Sequence, residues 1–211
     1  HDKHGPPHQP DLRSGRLVIA FSIIYGSIAD MTAPQLTIVT STDWHDYELL
    51  DSGNLKKLER FGNFRFIRPE PQAMWKPRLD ANAWSADGVF RPDKNDTANG
   101  DLSGWQLSKN LPTSWQLQYQ DLRFLVRPTP FRHLGFFPEQ AAHWNWCAKK
   151  ILQFQQKHNR RPRILNLFAY SGLASLHAAA AGAEVTHVDS SKKAIAQAFE
   201  NRDICGFQDA P

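Results

Sequence analysis

The chain has 211 residues, 41% of them hydrophobic, with 25 lysines and arginines against 21 aspartates and glutamates for a formal net charge of +4. That length and apolar fraction make a globular protein the default, either one large domain or one domain with a smaller appendage. The two cysteines, Cys147 and Cys205, exclude a disulfide framework or a zinc site, and no run approaches the ~18 apolar residues of a membrane-crossing helix.

Residues 1–30 read as separate from the rest. His1 to Pro10 is polar and proline-rich, and the apolar run Leu17–Tyr25, with Arg13 and Arg16 ahead of it, has the length of a signal-peptide core but lacks a good small-residue cleavage site. The expectation is that Met31 is the natural start and that 1–30 is a non-native upstream or disordered segment. Cysteine usage fits a reducing compartment, which points to the cytoplasm.

From Met31, residues 31–130 form the second division, a β-rich region. Leu36–Thr40 is β-branched, and Tyr47–Gly53, Leu58–Gly62 and Phe64–Arg68 alternate with the two-residue period of half-buried strands. Pro69, Pro71 and Pro77 forbid regular structure around Met74 and Trp75. Residues 80–104 read as a long exposed connection. Strand signals resume at Trp105–Leu107, Trp115–Tyr119 and Leu122–Arg127, with Asp121 near a hairpin turn, so this region is expected to be a small antiparallel, aromatic-rich unit. Trp75, Trp105 and Trp115 are expected to serve as packing residues rather than as surfaces for base stacking. The clusters Lys56-Lys57, Lys149-Lys150 and Arg160-Arg161-Arg163 more often mark solvated faces than binding patches, so charge permits an RNA partner without requiring one.

Residues 131–211 form the third division. Pro138 and Glu139 suit the first turn of a helix, and Trp144, Cys147, Ala148, Ile151 and Leu152 fall on one apolar helical face. Arg163–Leu167 reads as a buried strand, closed by the small-residue turn Ala169-Tyr170-Ser171-Gly172 and followed by the alanine-rich helix Leu173–Ala181, which Gly182 stops. Glu184–Val188 is the next strand. Ser190 or Ser191 can cap the helix Lys192–Cys205, with Ile195, Ala198 and Phe199 on one face. Strand, helix, strand, helix begins a doubly wound parallel sheet.

A strand ending in a tight turn that feeds a helix offers backbone N–H groups and the positive end of the helix dipole to a ligand. Asp189, 17 positions after Gly172 at the end of the second strand, stands where it can accept hydrogen bonds from both ribose hydroxyls of a nucleoside. It can equally cap the helix that begins near Ser191, and the two roles are compatible. Dinucleotides need three glycines for close approach of the pyrophosphate. The turn Asn166-Leu-Phe-Ala-Tyr-Ser-Gly172 has one, which fits a nucleoside without phosphates such as S-adenosylmethionine.

Asn166 to Gly172, the Ala-Ala-Gly-Ala-Glu-Val-Thr-His-Val-Asp189 segment, Ser190-Ser-Lys192 and Glu200-Asn201 resemble motifs I and II of the class I S-adenosylmethionine-dependent methyltransferases. Leu49–Gly53, Lys57–Gly62, Arg68–Ala73 and His133-Leu-Gly-Phe-Phe-Pro-Glu-Gln140 are similar to the branch containing the large-subunit ribosomal RNA cytosine-C5 methyltransferases. The resemblance implies an α/β fold: an incomplete Rossmann-like sheet preceded by the small β-rich region. It implies that Phe168, Ala169, Tyr170 and Gly172 line the methionine part of S-adenosylmethionine, and that Asn166 and Ser171 of the same motif belong to the cofactor site. Asp189 would hold the ribose, Ser190 would border the adenine, and Phe137 and Gln140 would close over the cofactor. The substrate it implies is RNA, in particular ribosomal RNA, with no membrane and no metal involved. His133 and His177 carry no assigned role.

In that family the catalytic loop is an Asp-Pro-Pro type segment after the fourth strand, and the cytosine enzymes add a nucleophilic cysteine. Neither lies within 1–211, and neither Cys147 nor Cys205 matches that cysteine's motif, so no catalytic residue is assigned. The chain then reads as an inactive fragment of the enzyme, with an exposed apolar sheet edge where later strands would pair. A non-catalytic RNA-binding module and an NAD-dependent oxidoreductase are the rival readings, the second disfavoured by the missing glycines.

Overall fold

The computed structural model describes residues 16–18, 43–91 and 104–208, the first three as backbone only. The expected strand at Leu36–Thr40 lies outside them. β1 (Arg16–Val18) is a three-residue strand that joins the second of the sheets below.

The alternating stretch folds as an antiparallel meander of β2 (Tyr47–Gly53), β3 (Lys56–Phe61) and β4 (Phe64–Pro69), in the register Leu49↔Glu59 and Leu58↔Ile67. Asn54 and Leu55, with φ of 50° and 62°, make the first turn. Left-handed backbone is unusual for leucine, and only the turn geometry calls for it. Two expectations for this region need correcting. The connection at 80–104 contains β5 (Gly88–Phe90), and the unit is not wholly antiparallel, because β5 pairs parallel with β4. β6 (Trp105–Leu107) completes the sheet antiparallel to β5, in the order β2-β3-β4-β5-β6. Gly88 is needed there: a Cβ on it would lie 2.5 Å from the Phe66 ring.

β7 (Trp115–Tyr119) and β8 (Leu122–Val126) form a separate hairpin that turns at Gln120 and Asp121. Their inward residues Leu117, Tyr119, Phe124 and Val126 meet Phe61 and Phe66 from the meander and Leu134, Phe136, Trp144, Leu173 and Leu176 from the region beyond residue 131 in one apolar cluster. The two regions therefore share a core. At about 1.5–3 kcal/mol for each large apolar side chain buried, that shared cluster is the main force fixing one against the other.

Of the three tryptophans expected to pack, two do. Trp105 is buried with its indole N–H donating to the Thr129 carbonyl at 2.7 Å, and Trp115 stacks on Phe66 at 5.6 Å. Trp75 is 56% exposed.

A 3-10 turn at Pro138–Gln140 leads into α1 (Ala141–His158), which ends at the left-handed Asn159. Trp144 and Ile151 are buried as expected, whereas Leu152, one position past Ile151, falls 49% exposed on the outer side. Then come β9 (Arg163–Leu167), α2 (Leu173–Ala180), β10 (Glu184–Val188) and α3 (Lys192–Ile204). β9 and β10 are parallel, from Arg163↔Glu184 to Leu167↔Val188. Ser191 is the N-cap of α3, its hydroxyl accepting from the Ala194 N–H at 3.3 Å. Over Arg163–Leu165 the other edge of β9 pairs in parallel with β1, Arg16 opposite Arg163. The sheet order is β1-β9-β10. Among the described residues no helix is long and apolar enough to cross a membrane, and no three His, Cys, Asp or Glu side chains gather as metal ligands would.

Candidate cofactor site

The turn between β9 and α2 is built from left-handed residues at alternate positions: Phe168 (φ 55°), Tyr170 (φ 50°) and Gly172 (φ 88°). Two of these carry side chains, and such backbone persists only where its surroundings enforce it. The enforcing bonds are visible. Ala169 N–H donates to the Val188 carbonyl at 3.1 Å, Tyr170 N–H to Asp189 Oδ2 at 2.9 Å, and Gly172 N–H to the Ala169 carbonyl at 3.1 Å. From below, Asn201 Nδ2 donates to the carbonyl of the buried Ser171 at 2.9 Å. Gly172 also lets α3 come close, since a Cβ on it would meet the Ala198 Cβ at 3.0 Å.

Asp189 therefore joins the ends of the two parallel strands. Its other oxygen, Oδ1, accepts the Ser191 N–H at 2.8 Å. The Ser191 and Tyr170 amides hold its carboxyl below the usual carboxylate range, so it is ionised at neutral pH. Each oxygen keeps lone-pair capacity beyond the bond it makes. Capping of α3 falls to Ser191, which leaves Asp189 as the fastener of the turn and an acceptor facing the space above it.

The second wall comes from the segment before α1. The Phe137 and Tyr170 rings lie 5.9 Å apart, and His133 completes a triangle with them, 5.3 Å from Phe137 and 5.7 Å from Tyr170. The Tyr170 hydroxyl lies 3.5 Å from His133 Nδ1. Burial, with Arg68 and Arg132 nearby, pushes the His133 imidazole down to about 4, so it is neutral, while burial pushes the Tyr170 phenol up to about 12. Arg68 anchors this wall from the meander. Its guanidinium makes two bonds to the fully buried Glu59, at 2.7 and 2.8 Å, and a third to the Arg132 carbonyl at 2.8 Å.

Of the residues singled out in the sequence, Phe137, Ala169, Tyr170, Ser171, Gly172 and Asp189 converge on this turn. Phe168 leaves the strand and is 91% exposed above it, so the apolar run is buried only toward its Ile164 end. Three others are turned elsewhere or stand apart. The Gln140 side-chain carbonyl meets His143 Nδ1 at 3.1 Å, the Asn166 amide donates to Ser175 Oγ at 3.0 Å, and Ser190 is exposed at the rim. Sequence reasoning missed His133, Arg68 and Glu59. Their signal was that all three lie in segments carrying the family resemblance, Lys57–Gly62, Arg68–Ala73 and His133–Gln140.

A strand–turn–helix with an acidic residue ending the adjacent parallel strand is a geometry in which a nucleoside can be held in α/β proteins. The solved structure of an S-adenosylmethionine-dependent methyltransferase from Agrobacterium tumefaciens superposes with a TM-score of 0.73 and 44% identity, covering 83% of this chain and 54% of that one. Two curated proteins named ribosomal RNA large subunit methyltransferase K/L also match. The one from Magnetococcus marinus is 39% identical over 90 residues, and the one from Hahella chejuensis 38% identical over 80. The chain spans about half of the solved relative and only 11% and 10% of the curated ones. No protein-family profile matches. The chain has the fold of the class I S-adenosylmethionine-dependent methyltransferases and is related in sequence to members of that class, ribosomal RNA methyltransferases among them.

Proposed function

We propose that the chain binds S-adenosylmethionine at the Phe168–Gly172 turn and belongs to an enzyme that methylates RNA, ribosomal RNA in particular. The observation that carries this reading is the ionised Asp189, which fastens the turn through the Tyr170 N–H and still has acceptor capacity for the two hydroxyls of a ribose. The single glycine of the turn suits a cofactor without a diphosphate. Phe168, Ala169 and Tyr170 flank the methionine part, Ser190 the adenine, and Phe137 closes the side with His133 behind it. Gln140 and Asn166 serve this site only after their side chains leave His143 and Ser175.

When bound, S-adenosylmethionine supplies an electrophilic methyl group on a sulfonium. The chain's own residues bind and orient it: Asp189 by hydrogen bonding, and the aromatic wall of Phe137, Tyr170 and neutral His133 by shielding the methyl-bearing side from water. No residue described here is assigned to the transfer itself. Calorimetric titration with S-adenosylhomocysteine tests the reading. Measurable binding is the expected result, and RNA binding without it would favour a non-catalytic RNA-binding module.

A further inference from the structure

The end of the meander that carries the β2–β3 turn bears an aromatic side chain that packing does not account for. Trp75 is 56% exposed and follows Met74, which is also exposed. Yet the ring is not loose. Its indole N–H donates to the Ser52 carbonyl at 2.9 Å, and its own carbonyl accepts the Asn54 N–H at 2.8 Å. The next residues are fixed as well, because the buried Asp51 carboxylate accepts the N–H groups of Arg78 at 3.2 Å and Leu79 at 2.9 Å. A large ring held still in water is preorganised for contact and loses little entropy on binding.

Its neighbours are cationic. Lys76 follows it directly and Arg78 three positions on, and Lys56 pairs with Gly53 across the turn on which Trp75 rests. All three are exposed, and among the described residues none is in an ion pair. The same end of the sheet leads to the cofactor turn. Next to Lys56, Lys57 pairs with Arg68, and both line a cleft of about 160 Å³ with Glu70, Glu139, His133 and Phe137, the last two touching Tyr170; Lys57 is ion-paired there with Glu59 and Glu70, and Arg68 with Glu59.

We infer that Trp75, with Lys56, Lys76 and Arg78, is a landing surface for single-stranded RNA, one base stacking on the indole and the cations reaching the flanking phosphates. Stacking on a fixed ring accepts any base, and three unpaired cations favour a polyanion over an apolar protein segment. In taking single-stranded RNA as its occupant, the surface rests on the RNA reading above.

The test is fluorescence anisotropy of a labelled 12-nucleotide oligoadenylate with the full chain, alongside calorimetry with S-adenosylhomocysteine on the same proteins. Trp75→Ala weakens RNA binding about tenfold or more, Trp75→Phe stays within about threefold because a stacking ring remains, and both bind S-adenosylhomocysteine as the parent does. Replacing Lys56, Lys76 and Arg78 together by Gln lowers the slope of log affinity against log salt by about 2. RNA affinity that is absent in the parent, unchanged in Trp75→Ala, or lost equally in Trp75→Phe overturns the proposal, the second result leaving the surface to a protein partner. Trp75-dependent RNA binding in a chain that ignores S-adenosylhomocysteine upholds the landing surface and removes the methyltransferase reading instead.

Discussion

The carboxylate of Asp189 accepts the backbone N–H of Tyr170 at 2.9 Å across a sequence separation of 19, tying the end of β10 to the turn after β9. One side chain thus shapes the turn and presents its charge above it. Removing the carboxylate should cost both jobs. Asp189→Ala is expected to lower stability by about 1–3 kcal/mol, the usual range for a lost hydrogen bond to a charged group, measured by urea unfolding. Because backbone amides hold its carboxyl below the ordinary range, the contribution is complete above about pH 4 and disappears as pH falls through the folded value.

His177 gives a pH dependence of a different origin. It is buried, stacks on Trp144 at 4.9 Å, meets Tyr119 edge-on and is pushed down to about 4 by burial. The unfolded chain takes up the proton near pH 6.5, while the folded chain resists until about 4. Stability is therefore full above about pH 6.5 and declines as pH falls between these values, by up to about 1.4 kcal/mol per unit. His177→Phe keeps the stacking and should flatten the dependence. Urea midpoints at pH 7 and pH 5 for both proteins check this, with His133 accounting for a remaining slope of the same sign.

Glu59 and Arg68 hold the aromatic wall from below, with side chains almost wholly out of water. Losing Glu59 strands the Arg68 charge, whereas losing Arg68 leaves Glu59 paired with Lys57 at 3.5 Å, so Glu59→Gln should destabilise by about 3–5 kcal/mol, Arg68→Met by less, and the double substitution by much less than the sum. Tyr47, which donates to Glu59 at 3.0 Å, needs an acceptor there, and Gln supplies one. A double-mutant cycle in urea reads the coupling.

Gly172→Ala should weaken cofactor binding as well as stability. A side chain at φ 88° is strained, and its Cβ would press on Ala198 Cβ at 3.0 Å, shifting α3 and with it Ser171 through Asn201. About 1–2 kcal/mol of destabilisation is expected, together with a weaker response to S-adenosylhomocysteine in a thermal-shift measurement.

Much of the second sheet could be read from the sequence because local rules and burial agree there. Ile164 begins an apolar run, Gly182 ends an alanine-rich helix, and Ser191 stands where an N-cap is needed. The turn's place between the strand and the helix was legible from the apolar run and Gly172. Its left-handed Phe168 and Tyr170 were not, because bonds to Val188 and Asp189 impose that geometry from the neighbouring strand. His133 looked ordinary since its role comes from Tyr170, 37 residues away. Glu59 and Arg68 were given no individual role because their burial depends on the ion pair they make with each other across neighbouring strands. β5 was hidden because three residues in a stretch rich in Asp, Asn and Gly carry no period of their own. Trp75 was assigned to packing by the average behaviour of its residue type, and the bond to Ser52 holds it outside instead.

The most direct measurement is isothermal calorimetry with S-adenosylhomocysteine on the parent chain and on Asp189→Ala. Binding to the parent that weakens by about tenfold or more on substitution is the predicted result, as expected for losing hydrogen bonds to a charged acceptor. Binding that is the same in both proteins would contradict the assignment of this turn as the cofactor site.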